Sequence, residues 1–403
     1  MNVFIHPMYF LPDYGSAPVL MNELAGFLAA RGHRVEVVAT IPRRRPRDLS
    51  GLVVSHRRER GFTVKRFWTN SGPRPLSRLL AWNIYTAATL LNLAATRKGD
   101  VLFLRTPPLQ LGLTGFLGRR LRGAKVLLNV QDIHPDLSIE SGILRHPAGV
   151  AFARALEKWV YGVSDRIVVI SEGFRANLLE KGVAAHKLSV IPNWVDTDFL
   201  RPLVKDNALA RRLGLADKFV LLYAGTVSIS SNLALERVLE AARPLAADTE
   251  VVIAVVGEGL SKKDLERRAS ELKLRNVRFF PFQPYADLPA LLAAGDVLLV
   301  PLDREKSWMS VPSKLYAFMA AGRPVLALAP PESEVAAVIR ETGGGAVAPP
   351  DDPGRIAQVV AELKNDPAGR TAKGAAGRDY VVRNLAKTRV LRDYEETILS
   401  LAG

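Results

Sequence analysis

The 403-residue sequence predicts an α/β protein built from two doubly wound parallel-sheet domains facing each other across a cleft. Three observations carry that prediction. At roughly 150 residues per domain the chain is long enough for two separate cores. Short β-branched runs alternate with longer helical patterns, and the alternation occurs twice. The runs themselves, VLLNV at 126–130 and VVIAVVG at 251–257, are continuously apolar, as strands buried on both faces must be.

In chain order the first half offers strands at Val3–His6, Arg34–Thr40, Asp100–Arg105, Lys125–Asp132, Arg166–Ser171 and Leu188–Pro192. The second offers Phe219–Thr226, Glu250–Gly257, Val277–Phe282, Asp296–Leu302, Pro324–Ala329 and Gly345–Pro349. Between the halves NWVDTDFLRPLV, at 193–204, is polar, contains Pro202 and precedes a fresh helical pattern, so it reads as the linker. The expected domains are therefore 1–195 and 205–377. Residues 378–403 form an amphipathic helical pattern with no strand after it, which we expect to cross back to the first domain.

Charge is unevenly spread. Residues 1–150 hold 21 Lys and Arg against 9 Asp and Glu, so +12 of the net +15 lies there. That half should face an anionic partner. Basic runs RRRPR (43–47) and HRRER (56–60) lack the interleaved aromatics of a nucleic-acid site, so an anionic membrane surface is the expected partner. The segment Leu79–Thr96 carries no charge and is flanked by Arg74, Arg78, Arg97 and Lys98. A span needs about 20 mostly apolar residues, and this segment includes Asn83, Asn92 and three threonines, so a buried or interface-lying helix is expected. No basic leader precedes the apolar residues of Met1–Phe10, which reads as a strand entering a loop and places the chain in the cytoplasm. The absence of cysteine excludes thiol nucleophiles, disulfides and thiolate metal sites.

Five stretches carry candidate chemistry. PDYGSAP puts Gly15 and Ser16 at a helix start, where backbone N–H groups can approach an anionic oxygen, although a plain tight turn has the same composition. NVQDIHPD places Asp132 and His134 at a strand end, suited to proton handling or to gripping a sugar hydroxyl; Asp132 could equally cap the next helix. DTD at 196–198 has the look of a two-carboxylate metal motif but falls in the linker, where capping is the expected role and no metal is expected. The pairs Asp303 with Glu305 and Asp351 with Asp352 also lack the partners a cation needs. SVPSKLYAFMAAGRPV opens a helix with Ser313 and Lys314, an anion site or a capped helix of a βαβ unit. Lys262 and Lys263, after VVGEGL, have the spacing of a solvated helix start.

In order along the chain, PDYGSA, SDRIVVISEGFRANLLEKGV, KLSVIPNWVDTDF, LLYAGT, VVGEG, DVLLVPL, PSKLYAFMAAGRPV with SEV, and GGGAVAPPDDP resemble the retaining nucleotide-sugar glycosyltransferases of family four, over nearly the whole chain. The look-alikes are bacterial enzymes of O-antigen, capsule and colanic-acid synthesis. The resemblance implies the GT-B fold of two Rossmann-like domains and transfer of a hexose-type residue from a nucleoside-diphosphate sugar. The implied acceptor is a glycan on polyprenyl diphosphate, or an oligosaccharide, at the inner face of the plasma membrane. It implies no cofactor and no metal. Donor contacts would come from Gly225 and Thr226 near the diphosphate, Phe282 beside the base, Ser313 and Lys314 on the phosphates, and Glu334 near the ribose or sugar. Asp132 and His134 would face sugar and acceptor; retention would follow from front-face attack with the leaving phosphate taking the acceptor proton, and the rate from closing the domains and stabilising charge on the departing diphosphate.

The departures are specific. The family's two helix glutamates, eight residues apart, correspond to Met309 and Ala317; its diphosphate-binding Arg and Lys are missing from GTVSISSNLALE; and a histidine before the strand-end Asp is Gln131. Two alternatives accordingly stand beside transfer: a nucleotide-sugar epimerase of the same fold, and a catalytically silent nucleotide- or lipid-binding partner.

Overall fold

The computed structural model describes the chain apart from residues 14, 43–53, 60, 70–74, 141, 228, 303–311 and 403. Arg43, Arg44, Arg45, Arg60, Asp303, Glu305 and Met309 thus lie outside the described residues. The chain forms two compact units. Unit 1 comprises Met1–Asn193 with Thr388–Gly403, and unit 2 comprises Trp194–Lys387.

Unit 1 is built on an eight-stranded sheet of β1 (Asn2–Met8), β2 (Arg34–Thr40), β3 (Val54–Glu59), β4 (Phe62–Phe67), β5 (Val101–Thr106), β6 (Lys125–Val130), β7 (Arg166–Val169) and β8 (Leu188–Val190). Their order is β3-β4-β2-β1-β5-β6-β7-β8, with only β3 antiparallel to its neighbour. The strand order reverses between β1 and β5. Central residues such as Val3, Ile5, Leu102, Phe103, Leu127 and Leu128 are fully buried, each contributing roughly 1.5–3 kcal/mol relative to exposure.

Unit 2 contains β9 (Phe219–Ala224), β10 (Val251–Val256), β11 (Val277–Phe280), β12 (Val297–Pro301), β13 (Val325–Leu328) and β14 (Gly345–Ala348), all parallel, in the order β11-β10-β9-β12-β13-β14. All residues of β9 and β10 are buried, as continuous apolar runs require. The reversal here falls between β9 and β12. Ligands of such sheets bind outside the carboxyl ends of the strands at that reversal.

Several sequence expectations need correction. The hairpin β3–β4 was not expected: VSHRRE reads as a basic run, yet it pairs with β4 around a turn in which Gly61 adopts φ +87°. Strands β6 and β7 stop two residues early, because Gln131 and Ser171 already belong to the loops and helix caps that follow. The pattern Arg378–Ala402 is not one helix. It divides between the end of Pro367–Asn384, in unit 2, and Lys387–Ala402, which packs in unit 1.

In unit 1, Tyr394 accepts a hydrogen bond at its hydroxyl from Asn129 Nδ2 (2.9 Å), and Glu395 pairs with Arg31 and His33, both at 3.1 Å. In unit 2, Arg378 uses its fork to hold the start of the unit, donating to the carbonyls of Thr197, Leu200 and Ala320. The segment expected at Leu79–Thr96 is a helix over Pro75–Asn92 followed by a short 3-10 turn. One side buries Ala81, Tyr85, Ala88 and Thr89, while Leu76, Leu79 and Leu80 remain exposed. Among the described residues no helix is long and apolar enough to cross a membrane.

Candidate active site

In unit 2 the reversal between β9 and β12 is where the loop after β9 meets the helix Ser313–Ala320. Gly225, the first residue past β9, has φ +147°, and a Cβ there would lie 3.2 Å from Lys314 Nζ. Its neighbour in space is Gly257, φ +155°, whose imagined Cβ would fall 1.8 Å from the Gly225 carbonyl oxygen. Only glycine permits that approach of two loop backbones. The loops are then joined by hydrogen bonds from Gly225 N to Val256 O (3.0 Å) and from Val227 N to Glu258 O (2.9 Å).

Lys314 projects into this corner. Its ammonium lies 4.4 Å from the centre of the Tyr223 ring and donates to the Tyr223 hydroxyl at 3.3 Å. The same hydroxyl donates to the Thr226 carbonyl at 2.6 Å, which fixes the loop and the lysine together. No carboxylate pairs with Lys314 among the described residues. Burial drives its ammonium down to about 8 from an ordinary value of 10.5. The helix it opens has Pro312 at its N-cap and no side-chain cap, so the first-turn N–H groups keep their donor capacity beside the charge.

The remaining candidates of unit 2 sit at strand ends. Thr226 is exposed in the loop after β9, and Ser313 is exposed at the start of its helix. Phe282 lies two residues beyond β11, in the loop rather than the strand, and is exposed. Glu334 opens the helix Glu334–Thr342 after β13, one residue past the cap Ser333, whose hydroxyl accepts from Ala336 N at 3.2 Å. Ala317 packs against the core of this unit.

Lys262 is corrected: it is buried, and its Nζ donates to Glu258 Oε1 (2.8 Å) and the Phe280 carbonyl (3.2 Å), tying the β10 loop to the end of β11. Only Lys263 is solvated as its spacing suggests. Asp196 does cap the linker turn, accepting from Phe199 N at 3.0 Å, and it also pairs with Lys387. No cluster of three or more His, Asp or Glu suited to a metal occurs among the described residues.

In unit 1 the strand-end loop after β6 presents Asp132 and His134. Asp132 accepts no capping hydrogen bond among the described residues, so the capping reading does not hold. His134 Nδ1 is 3.0 Å from Ser138 Oγ, and the ring meets Trp82 edge-on at 6.2 Å. Burial lowers its pKa and so does the nearby Arg78, against upward pulls from Asp132 and Asp136; the imidazole is held toward the neutral form. Asp136 is engaged with Lys181 at 2.7 Å. Gly15 and Ser16 are both exposed at the start of the helix Ser16–Ala30, where Gly15 takes φ +123° and no side chain caps the first turn.

Sequence reasoning missed two residues. Tyr223 is hidden in the apolar run FVLLYAG, and Arg105 ends an apolar run just before Thr-Pro-Pro. The signal for Arg105 was available: a charge inside a strand otherwise buried on both faces needs a reason.

Residues 15–194 match the model of the glycosyl transferase 4-like domain, and residues 218–366 that of the glycosyl transferases group 1. The chain is 31% identical over 411 residues, 98% of each chain, to WcaI of Escherichia coli K12, whose name assigns it to colanic acid biosynthesis as a glycosyl transferase. It is also 31% identical over 269 residues, 66% of each chain, to WbjE of Pseudomonas aeruginosa, named as a glycosyltransferase. Among solved structures, sucrose-phosphate synthase from Thermosynechococcus elongatus superposes with a TM-score of 0.76 at 18% identity, covering 99% of this chain and 98% of that one. Anabaena HepE, in complex with UDP-glucose, gives 0.71 at 16%, covering 99% and 100%. At such identities the likeness to these structures concerns the fold. Matched in both halves by glycosyl transferase models and along 98% of its length by a relative at 31% identity, the chain belongs to the GT-B glycosyltransferases.

Proposed function

We propose that the protein is a retaining hexosyltransferase that moves a sugar from a nucleoside diphosphate onto a glycan carried by polyprenyl diphosphate, in the assembly of a bacterial surface polysaccharide. The single observation that carries the donor half is Lys314: a desolvated cation with no acidic partner among the described residues, at the strand-order reversal of unit 2, beside a helix N-terminus and the backbone of Gly225. A diphosphate has the negative charge that the ammonium and the helix N-terminus both favour. The names of WcaI and WbjE, and the UDP-glucose bound by HepE, support the same reading.

In this proposal Gly225 and Thr226 lie along the diphosphate, Phe282 flanks the base, Ser313 and Lys314 hold phosphate oxygens, and Glu334 reaches the ribose or sugar. The acceptor hydroxyl attacks from the face on which the diphosphate departs. The bond from the anomeric carbon to the phosphate oxygen breaks, the glycosidic bond forms on the same side, and the hydroxyl proton passes to the departing phosphate. Asp132 and His134 orient the acceptor and sugar, and no metal takes part. Stabilising charge on the leaving diphosphate is the main contribution of the protein.

A thermal-shift series with UDP-, GDP-, ADP- and dTDP-sugars tests this directly. A donor at 100 times its Kd stabilises by about 2.7 kcal/mol, an upward shift of about 5–10 °C for a unit of this size. No shift with any of the four returns the protein to the silent-partner reading.

Unit 1 is proposed to rest on the inner face of the plasma membrane, where a polyprenyl-linked acceptor resides. Exposed Leu76, Leu79 and Leu80 in the first turns of that helix have exposed Arg78 among them, and Arg97 and Lys98 are exposed beyond its far end, which mixes apolar and basic surface. Each basic residue at an anionic surface contributes about 1 kcal/mol. Co-sedimentation with anionic vesicles is expected at low salt and reduced at high salt, and Leu79→Asp with Leu80→Asp should weaken it further. Equal recovery with neutral vesicles sinks the electrostatic part of this proposal.

A further inference from the structure

Arg105 lies near the carboxyl end of β5, on one side of the strand reversal in unit 1. In the parallel register it stands beside Asn129 of β6, so both side chains leave the same face of the sheet. That face carries Tyr394 from the last helix, whose ring lies 5.9 Å from Phe103, two residues before Arg105. The neighbouring polar groups are already committed in a chain. Asn193 Nδ2 donates to Gln131 Oε1 (3.0 Å), Gln131 Nε2 to Asn129 Oδ1 (2.9 Å), and Asn129 Nδ2 to the Tyr394 hydroxyl (2.9 Å).

Arg105 is left out of that chain. Its Nε is sealed from solvent with no hydrogen-bond partner, and the guanidinium forms no ion pair among the described residues. Asp132 is near enough for its charge to be felt but too far to pair. Burial accordingly pulls the arginine below its ordinary value, although a guanidinium remains charged in any accessible pH range. Arg105 as a whole is half-buried, with only its Nε sealed, and a partly desolvated charge that finds no ion-pair partner among the described residues is retained where a ligand completes it.

We propose that Arg105 is the receptor for a phosphate oxyanion on the substrate bound by unit 1, gripping two of its oxygens with the planar fork while Asp132 lies alongside. This deepens the acceptor assignment above and rests on it: a polyprenyl diphosphate offers such a group, whereas a neutral oligosaccharide does not. The loop after β1, with Gly15 and Ser16 at a helix start, leaves the sheet from a strand next to β5 and is a further source of N–H donors. Arginine suits the role because its fork matches two phosphate oxygens at once, which lysine cannot do.

Calorimetric titration of the whole chain with pyrophosphate at low salt tests the assignment without requiring catalysis. Wild type should bind two equivalents, one at Lys314 and one at Arg105. Lys314→Met should keep one, and adding Arg105→Met should weaken that remaining site at least tenfold, with Arg105→Lys intermediate. The melting temperature of Arg105→Met should stay level or rise. A double variant that titrates like Lys314→Met overturns the proposal, as does a wild type with no second site. Malonate binding more tightly than pyrophosphate at the Arg105 site overturns the phosphate assignment, and a melting temperature several degrees lower in Arg105→Met makes the arginine structural. Failure of the donor panel alone, with the second pyrophosphate site intact, counts against transferase activity and not against this site.

Discussion

Lys314→Met should fold normally and lose about 10²–10³ in turnover, the range for removing one preorganised electrostatic donor. Folding should survive because the substitution removes a desolvated cation that pairs with no carboxylate among the described residues. A pH signature accompanies the loss. In the free protein the ammonium titrates near 8, while in the unfolded chain it titrates near 10.5. Between those values the unfolded state holds more protons, so this group makes folding more favourable as pH rises. Donor affinity runs the opposite way, because the charge that attracts the diphosphate disappears above about pH 8. Donor titrations from pH 7 to 9.5 should therefore weaken for wild type and stay flat for the methionine variant. Near wild-type turnover in Lys314→Met would refute the assignment. It would leave Lys263 as the alternative cation, since Lys262 is occupied by Glu258 and the Phe280 carbonyl.

Gly257→Ala should be severely destabilising, by roughly 3–5 kcal/mol, at the upper end of what single substitutions do. The new methyl would sit 1.8 Å from the Gly225 carbonyl oxygen and 2.9 Å from its carbon, both backbone atoms that cannot swing aside. Its φ of +155° adds strain of its own. Gly182→Ala is the matched control, with φ +83° and nothing within 4 Å of its Cβ, so it should cost only about 1–2 kcal/mol. Urea denaturation of the two variants separates clash from strain. A Gly257→Ala protein as stable as Gly182→Ala would mean that the β9 and β10 loops can part, and that the Gly225 corner is not preformed.

The sheet of unit 2 was legible because strands such as VVIAVV have apolar residues on both faces, a pattern surface elements do not show. The helix beginning at Ser313 was legible from its Pro-Ser-Lys start and its Gly322 stop. β3 was not, because an edge strand with charged residues satisfies the same composition as a solvated loop, and only its pairing with β4 makes it a strand. Lys262 and Lys263 are indistinguishable in sequence. One turns inward because the Phe280 carbonyl and Glu258 converge there, a fact of tertiary structure alone. Lys314 could be suspected from its helix position, but the stacking of its charge on Tyr223 and its reach toward Gly225 depend on bringing that helix to the end of β9, 91 residues earlier.

The return of the last helix to unit 1 bears on the order in which the protein matures on the ribosome. Unit 2 is continuous in sequence, whereas unit 1 needs Tyr394 for the Asn129 amide and Glu395 for Arg31 and His33. Nascent chains ordinarily consolidate from the amino end, one domain at a time. Here the sheet of unit 1 is made first yet stays unfinished until Tyr394 and Glu395, beyond the whole of unit 2, have been made, with Asn129 and the surface that Tyr394 covers open to water. The second-made unit is thus the first able to complete itself. A premature stop between Lys387 and Tyr394 would spare unit 2 and leave the earlier-synthesised half as the chaperone's client.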